Sequence, residues 1–265
     1  MKWMKKTAAL ITAAVTLLCT GCAAGSKLPE TSIPDYTIPV NVLGEPSELV
    51  PDVQVDKYQV PESEGMDFIK ELHLGWNLGN TFDATNVGNI SAEHELDYEK
   101  AWCGEFTKIE NIAALKAAGF NTIRIPVSWH NHVDENFNIS RAWLTRVKEV
   151  VDWCRDMDLY VIVNTHHDNE EDFYYPDSAH MESSKKYLTA VWSQIAEAFK
   201  DYDEHLILES LNEPRLVGTN YEWWIDQNNE QCKDAVSCIN TLNQLFVDTV
   251  RASGGSNART VSTKS

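Results

Sequence analysis

Gly119-Phe120-Asn121-Thr122-Ile123-Arg124-Ile125-Pro126-Val127 is a helix stop followed at once by an apolar run rich in β-branched residues. Glycine accepts the left-handed conformation that closes a helix, and the run from Phe120 to Val127 predicts a strand. Upstream of that glycine, Thr107-Lys108-Ile109-Glu110 has the form of a capping box, opening a helix that runs to Ala118. Downstream, Ser140 predicts the cap of a helix whose Trp143, Val147, Val150, Val151 and Cys154 share one face, and Leu159 to Asn164 predicts the next strand. The pattern repeats outward. Leu74 to Asn77 predicts an earlier strand that ends in the polar stretch Asn77 to Asp83. Ser183 or Ser184 opens a helix with Tyr187, Val191 and Ile195 at four-residue steps, and His205 to Ser210 predicts a fourth strand. A helix from about Ala235 to Ser253 turns Leu242, Leu245, Phe246 and Val250 inward and stops at Gly254-Gly255, after which Arg259-Thr260-Val261 begins a fifth strand. Strand-helix units in succession require an α/β fold with a parallel sheet.

The chain has 265 residues and a mass of 30.0 kDa, room for one large domain or two small ones. With 40 acidic side chains against 22 basic ones, its net charge is -18, and a surface so acidic repels phosphate backbones. Nucleic acid is therefore excluded as a partner. Nine Trp and nine Tyr supply flat faces suited to stacking on neutral sugars, and equally to filling a core.

Lys2, Lys5 and Lys6 precede an apolar run from Ala8 to Leu18 that is too short to span a bilayer, the form of an export signal. Thr20-Gly21-Cys22 resembles the bacterial lipobox, which would make residues 1–21 a lipoprotein signal and Cys22 the acylated N-terminus; ordinary cleavage near Ala23-Ala24 is the alternative. Contact with a membrane is expected through that lipid anchor alone, on a surface lipoprotein or a secreted protein. Six of the nine prolines (Pro29, Pro34, Pro39, Pro46, Pro51 and Pro61) fall within residues 22–65, which read as an acidic spacer, or as extended strands laid along the domain. Residues 66–265 carry the strand-helix units.

The ionisable residues gather just after the strands: Asn77 after the first, Arg124 and Trp129 at the second, His166-His167-Asp168 after the third, Asn212-Glu213 after the fourth. In a parallel barrel those ends converge on one rim, where residues distant in sequence face a single pocket.

Leu74-Gly75-Trp76-Asn77-Leu78-Gly79-Asn80, Gly119 to Val127, Asn164-Thr165-His166-His167-Asp168 and Glu209-Ser210-Leu211-Asn212-Glu213-Pro214-Arg215 together resemble glycoside hydrolase family 5, most of all its subfamily 4 endoglucanases and xyloglucanases. The resemblance runs in order from about residue 66 to the C-terminus. It implies a (β/α)8 TIM barrel, of which about the first four to five units are present, and retaining hydrolysis of a β-1,4-glucan or xyloglucan of the plant cell wall. Glu213 would be the acid that protonates the glycosidic oxygen and then the base that activates water. Asn212 would bond the sugar 2-hydroxyl, and His166 and His167 would bind hydroxyls and orient the acidic pair. Arg124, costly inside an apolar strand without a carboxylate, would meet the nucleophile by resemblance, Glu209, or both. Trp129, with His130 and Trp76, would offer stacking surfaces or belong to the core. Proton transfer and a covalent sugar ester need only carboxylates, so neither cofactor nor metal is expected.

Retention requires a second carboxylate about 5–5.5 Å from the first. Glu209 lies four residues before Glu213, about 13 Å along a strand at about 3.3 Å per residue, too far to serve. The family's nucleophile ends a seventh strand, so the chain reads as the N-terminal part of an enzyme, inactive alone and prone to self-association through an open barrel edge. Cys103, Cys154, Cys232 and Cys238 either pair, Cys232 with Cys238 most simply, or stay free. Three rivals remain. A metal-dependent hydrolase would use His166, His167 and Asp168, but neighbouring residues of an extended segment point to opposite faces. His130-Asn131-His132 spells a nuclease tripeptide, on a chain of the wrong charge for DNA. A non-catalytic sugar-binding protein would use the same aromatics with Arg124, His166 and Asn212.

Overall fold

In the computed structural model, the described residues are 62–88, 90–258 and 262–263. The signal, Cys22 and nearly all of the spacer lie outside them. The chain divides into units 1–60 and 61–265, and the described strands and helices belong to the second. Its elements are α1 (Glu64–Glu71), β1 (Gly75–Asn77), a 3₁₀ turn (Ala92–Asp97), α2 (Tyr98–Ala101), α3 (Ile109–Ala117), β2 (Thr122–Ile125), a 3₁₀ turn (His130–His132), α4 (Arg141–Asp156), β3 (Tyr160–Asn164), α5 (Met181–Phe199), β4 (Leu206–Glu209), α6 (Glu230–Ala252), a 3₁₀ turn (Gly255–Ala258) and β5 (Ser262–Thr263). The strands form one parallel sheet in sequential order, and strand-helix alternation holds from β2 onward as expected.

Packing follows the apolar periods. On α4, Trp143, Val147, Val150, Val151 and Cys154 are all buried, each large side chain contributing about 1.5–3 kcal/mol. Ser140 caps this helix, its hydroxyl accepting the Trp143 N–H at 3.4 Å. Tyr187, Val191 and Ile195 of α5 are buried, and Trp192 meets Phe246 of α6 edge to face at 4.5 Å. Leu242, Phe246 and Val250 are buried, while Leu245 is half-buried.

Several boundaries move for identifiable reasons. The expected box at Thr107 shifts one residue: Lys108 is the N-cap, and its N–H goes to Asn111 Oδ1 at 2.8 Å. The Thr107 N–H is instead spent on buried Glu99 at 2.7 Å. Helix α5 starts at Met181, because buried Ser184 is occupied by Tyr175, accepting its N–H at 2.9 Å and donating to its carbonyl at 3.1 Å. Helix α6 starts at Glu230, where the Asn229 side chain accepts from Gln231 and Cys232. The fifth strand lies at Ser262–Thr263; Arg259 to Val261 are outside the described residues. Gly255 has φ +59, and a Cβ there would sit 2.6 Å from the Lys200 carbonyl oxygen, so this turn requires glycine. The four cysteines are free thiols, three of them buried, which removes the Cys232–Cys238 pairing. Among the described residues no helix is long and apolar enough to cross a membrane.

Candidate active site

Sheet register lines up the strand ends. Asn77 sits opposite Arg124, and Asn164 opposite Glu209. Arg124 lies between buried Ile123 and Ile125, so strand alternation turns it to the opposite face of the sheet from them. There its guanidinium forks onto Glu209, Nε to Oε2 at 2.7 Å and Nη2 to Oε1 at 2.6 Å, and also donates to Asn212 Oδ1 at 3.0 Å and Asn77 Oδ1 at 3.3 Å. Of the two partners expected for Arg124, the described residues supply Glu209. With its oxygen engaged, Asn212 keeps its amide nitrogen as a donor.

The loop after β3 is held on both sides. The His166 N–H goes to the Val127 carbonyl at 2.8 Å and the His167 N–H to Ser128 Oγ at 3.1 Å. Asn164 Oδ1 accepts the Val127 N–H, so its amide nitrogen is the group facing His166 Nδ1 at 3.1 Å. Burial, then the neighbouring His167 and Arg124 charges, push the His166 pKa down to about 3, and burial likewise lowers that of His167. Both rings are neutral near pH 7.

Beyond β4, Glu213 adopts φ +45, a strained conformation for a residue with a side chain. Its carboxylate is 62% exposed and pairs with Arg215 Nη1 at 3.2 Å. Arg215 also bonds Glu222 at 3.1 Å and lies over the Trp223 ring at 4.4 Å. The Gly218 N–H and Arg215 hold Glu222 below the usual carboxylate range. Glu213, Tyr221, Trp223 and Ile225 line a cleft of about 310 Å³.

Two expected surface residues belong to the interior. Trp129 is fully buried, its indole N–H on the Asn164 carbonyl at 2.9 Å, and His130 is buried beside Asp168. Neither offers a face to a sugar. The cause is Asp168, whose Oδ1 takes the Trp129 and His130 N–H groups, each at 2.7 Å, and the Tyr187 hydroxyl at 2.7 Å. Burial alone would raise the Asp168 pKa, but the His130 bond and charge lower it; the His130 pKa, which burial would depress, is raised by Asp168 and Glu170. Trp76 is 47% exposed. The aromatics that flank the site are ones the motifs do not include. Trp102 contacts His167 at 5.9 Å between ring centres, and Trp223 and Trp224 are 65% and 80% exposed. Their signal was available, since tryptophans in a polar loop serve no apolar period. His166 and His167, expected to diverge, lie edge to face at 4.5 Å because β3 has already ended at Asn164; Asp83 joins them, and Asp168 does not.

The family profile described as Cellulase (glycosyl hydrolase family 5) matches residues 80–265. Endoglucanase A of Ruminococcus albus is 42% identical over 204 residues, 76% of this chain and 52% of the relative. A family 5 lichenase from Caldicellulosiruptor sp. F32 is 51% identical with TM-score 0.75, over 80% of this chain and 57% of that one. A broad-specificity endoglucanase of the GH5-4 group from Ruminococcus champanellensis, solved with bound cellotriose, is 41% identical with TM-score 0.69, over 77% and 58%. The chain spans about half the length of these relatives.

Proposed function

The chain belongs to glycoside hydrolase family 5, its five-stranded parallel sheet matching part of that family's (β/α)8 barrel, and on that premise we propose that its strand-end rim binds a β-1,4-glucan or xyloglucan, with Glu213 as the acid/base of retaining hydrolysis. The observation that carries the reading is the convergence of Asn77, Arg124, Glu209 and Asn212 in one hydrogen-bonded cluster immediately before Glu213. Arg124 fixes the Asn212 oxygen, leaving its amide nitrogen to donate to a sugar hydroxyl. His166 and His167, neutral and anchored through their backbones, bind further hydroxyls. Glu213 gives its proton to the leaving glycosidic oxygen and takes one from water in the second step. Trp223, which lines the cleft with Glu213, supplies the stacking surface, extended by its exposed sequence neighbour Trp224.

Double displacement also needs a nucleophilic carboxylate. Among the described residues, Glu209 ends β4 four residues before Glu213, too far along an extended chain at about 3.3 Å per residue to flank the same bond, and Glu222 is engaged by Arg215. On this reading residues 1–265 bind glucan through the rim and do not cleave it. In any polypeptide that contains residues 1–265 and hydrolyses glucan, Glu213→Gln lowers polysaccharide turnover by about 10²–10⁴-fold with thermal stability unchanged. Turnover within a factor of two of wild type removes Glu213 from the chemistry. The Lys-rich start, the short apolar run and Cys22 support export and lipid anchoring, which incorporation of labelled palmitate in the parent but not in Cys22→Ala would test.

A further inference from the structure

We propose that Asp83, His166 and His167 form a binding site for one divalent transition-metal cation of the Zn2+ class, which shares the two histidines with the proposed glucan site and is argued from their geometry with Asp83 alone. One ligand atom from each lies within 4.8 Å of the others. Capture at metal–ligand distances of about 2.0–2.2 Å brings each pair to about 3.4 Å, a side-chain adjustment of about 1 Å with no backbone movement.

Asp83 gives the physical reason for a cation. It is 4% exposed, its Oδ1 accepts the Thr81 N–H at 2.7 Å, and its Oδ2 faces His167 Nε2 at 4.0 Å. Among the described residues no lysine or arginine pairs with it. A buried carboxylate without a counter-charge is costly, and a bound cation supplies that charge. Two imidazoles beside it select against Ca2+ and Mg2+, which take oxygen ligands, and favour Zn2+, Ni2+ or Cu2+. The set is two nitrogens and one oxygen with positions left for water.

The bonds to Val127 and Ser128 keep the two histidine backbones in place. The Asn164 amide nitrogen donates to His166 Nδ1, so the resting proton of that ring sits on Nε2. An incoming ion takes Nε2 while the proton moves to Nδ1, or it takes Nδ1 in place of the amide. Either route gives up one hydrogen bond, which makes the centre weaker than a four-ligand structural zinc.

The test is calorimetric titration of tag-free residues 1–265, freed of metal by chelator dialysis, with ZnCl2 and separately with CaCl2. One Zn2+ per chain is expected, with no Ca2+ binding in the same range. His167→Gln and Asp83→Asn each weaken Zn2+ at least about tenfold. His94→Gln, altering an exposed histidine outside the trio, leaves it unchanged. Urea midpoints establish that each variant is folded, and His167, about a third exposed, tolerates the change. Absent Zn2+ binding, equal Ca2+ binding, or Zn2+ binding untouched by both His167→Gln and Asp83→Asn overturns the proposal.

Discussion

The Arg124–Glu209 fork is the joint on which the strand-end cluster depends, and removing half of it has a calculable effect. The two side chains are 21% and 17% exposed and share two bonds of 2.6 and 2.7 Å. Glu209→Gln keeps the shape and one acceptor but leaves the guanidinium without a counter-charge. Breaking a fully buried pair costs about 3–5 kcal/mol; residual water access here reduces that to about 2–3 kcal/mol. Arg124→Lys replaces a planar fork with a point charge and loses the contacts to Asn212 and Asn77, for about 2 kcal/mol. Because both changes remove the same interaction, the double variant costs at least about 1 kcal/mol less than the sum of the single ones. Urea unfolding followed by tryptophan fluorescence gives all four free energies. Additivity within about 0.5 kcal/mol would show the pair to be uncoupled and the cluster to be held by something else.

Geometry and charge set two further outcomes. Gly255→Ala places a Cβ 2.6 Å from the Lys200 oxygen at φ +59, and it destabilises the chain by about 2 kcal/mol or more in the same urea assay; a loss below about 0.5 kcal/mol would contradict the turn. His132 is buried against Trp143, and burial outweighs the Glu95 bond to hold its pKa below 6.5; Glu95 is itself held below 4.5 by bonds to His132 and Ser140 that outweigh its burial. Both groups bind more protons unfolded than folded, so their contribution is complete above pH 6.5 and falls as acid passes first the histidine and then the carboxylate. His130, raised by Asp168, has the opposite sign and loses its contribution as pH rises. The His132→Gln variant isolates the first effect: between pH 7 and 5 the parent loses more stability than the variant, and parallel curves would refute it.

Where apolar residues recur with a helix or strand period, the sequence was sufficient. Trp143 to Cys154, Tyr187 to Ile195 and the four strands lie where their periods put them, since burial of those faces dominates local stability. Helix starts were less legible because a cap is a small local term. Ser184 has the chemistry of a cap but is used to tie Tyr175, and Asn229 caps a first turn with little apolar signal. The rim residues Asn77, Arg124, His166 and Asn212 were legible from their strand-end positions. Trp129 and His130 were not, because one carboxylate, Asp168, draws their loop into the core from 38 and 39 residues away. The meeting of Asp83 with His166 and His167 likewise depends on loops whose path no periodicity encodes.

Glucan binding by the strand-end rim is measured most directly by native affinity electrophoresis of residues 1–265 in gels with and without xyloglucan or a mixed-linkage β-glucan. The expected result is retardation by the polysaccharide without any clearing, weakened in Trp223→Ala and Trp224→Ala, whose rings are too exposed to hold the fold. Unchanged mobility in every glucan gel, or retardation indifferent to both tryptophans, would contradict it.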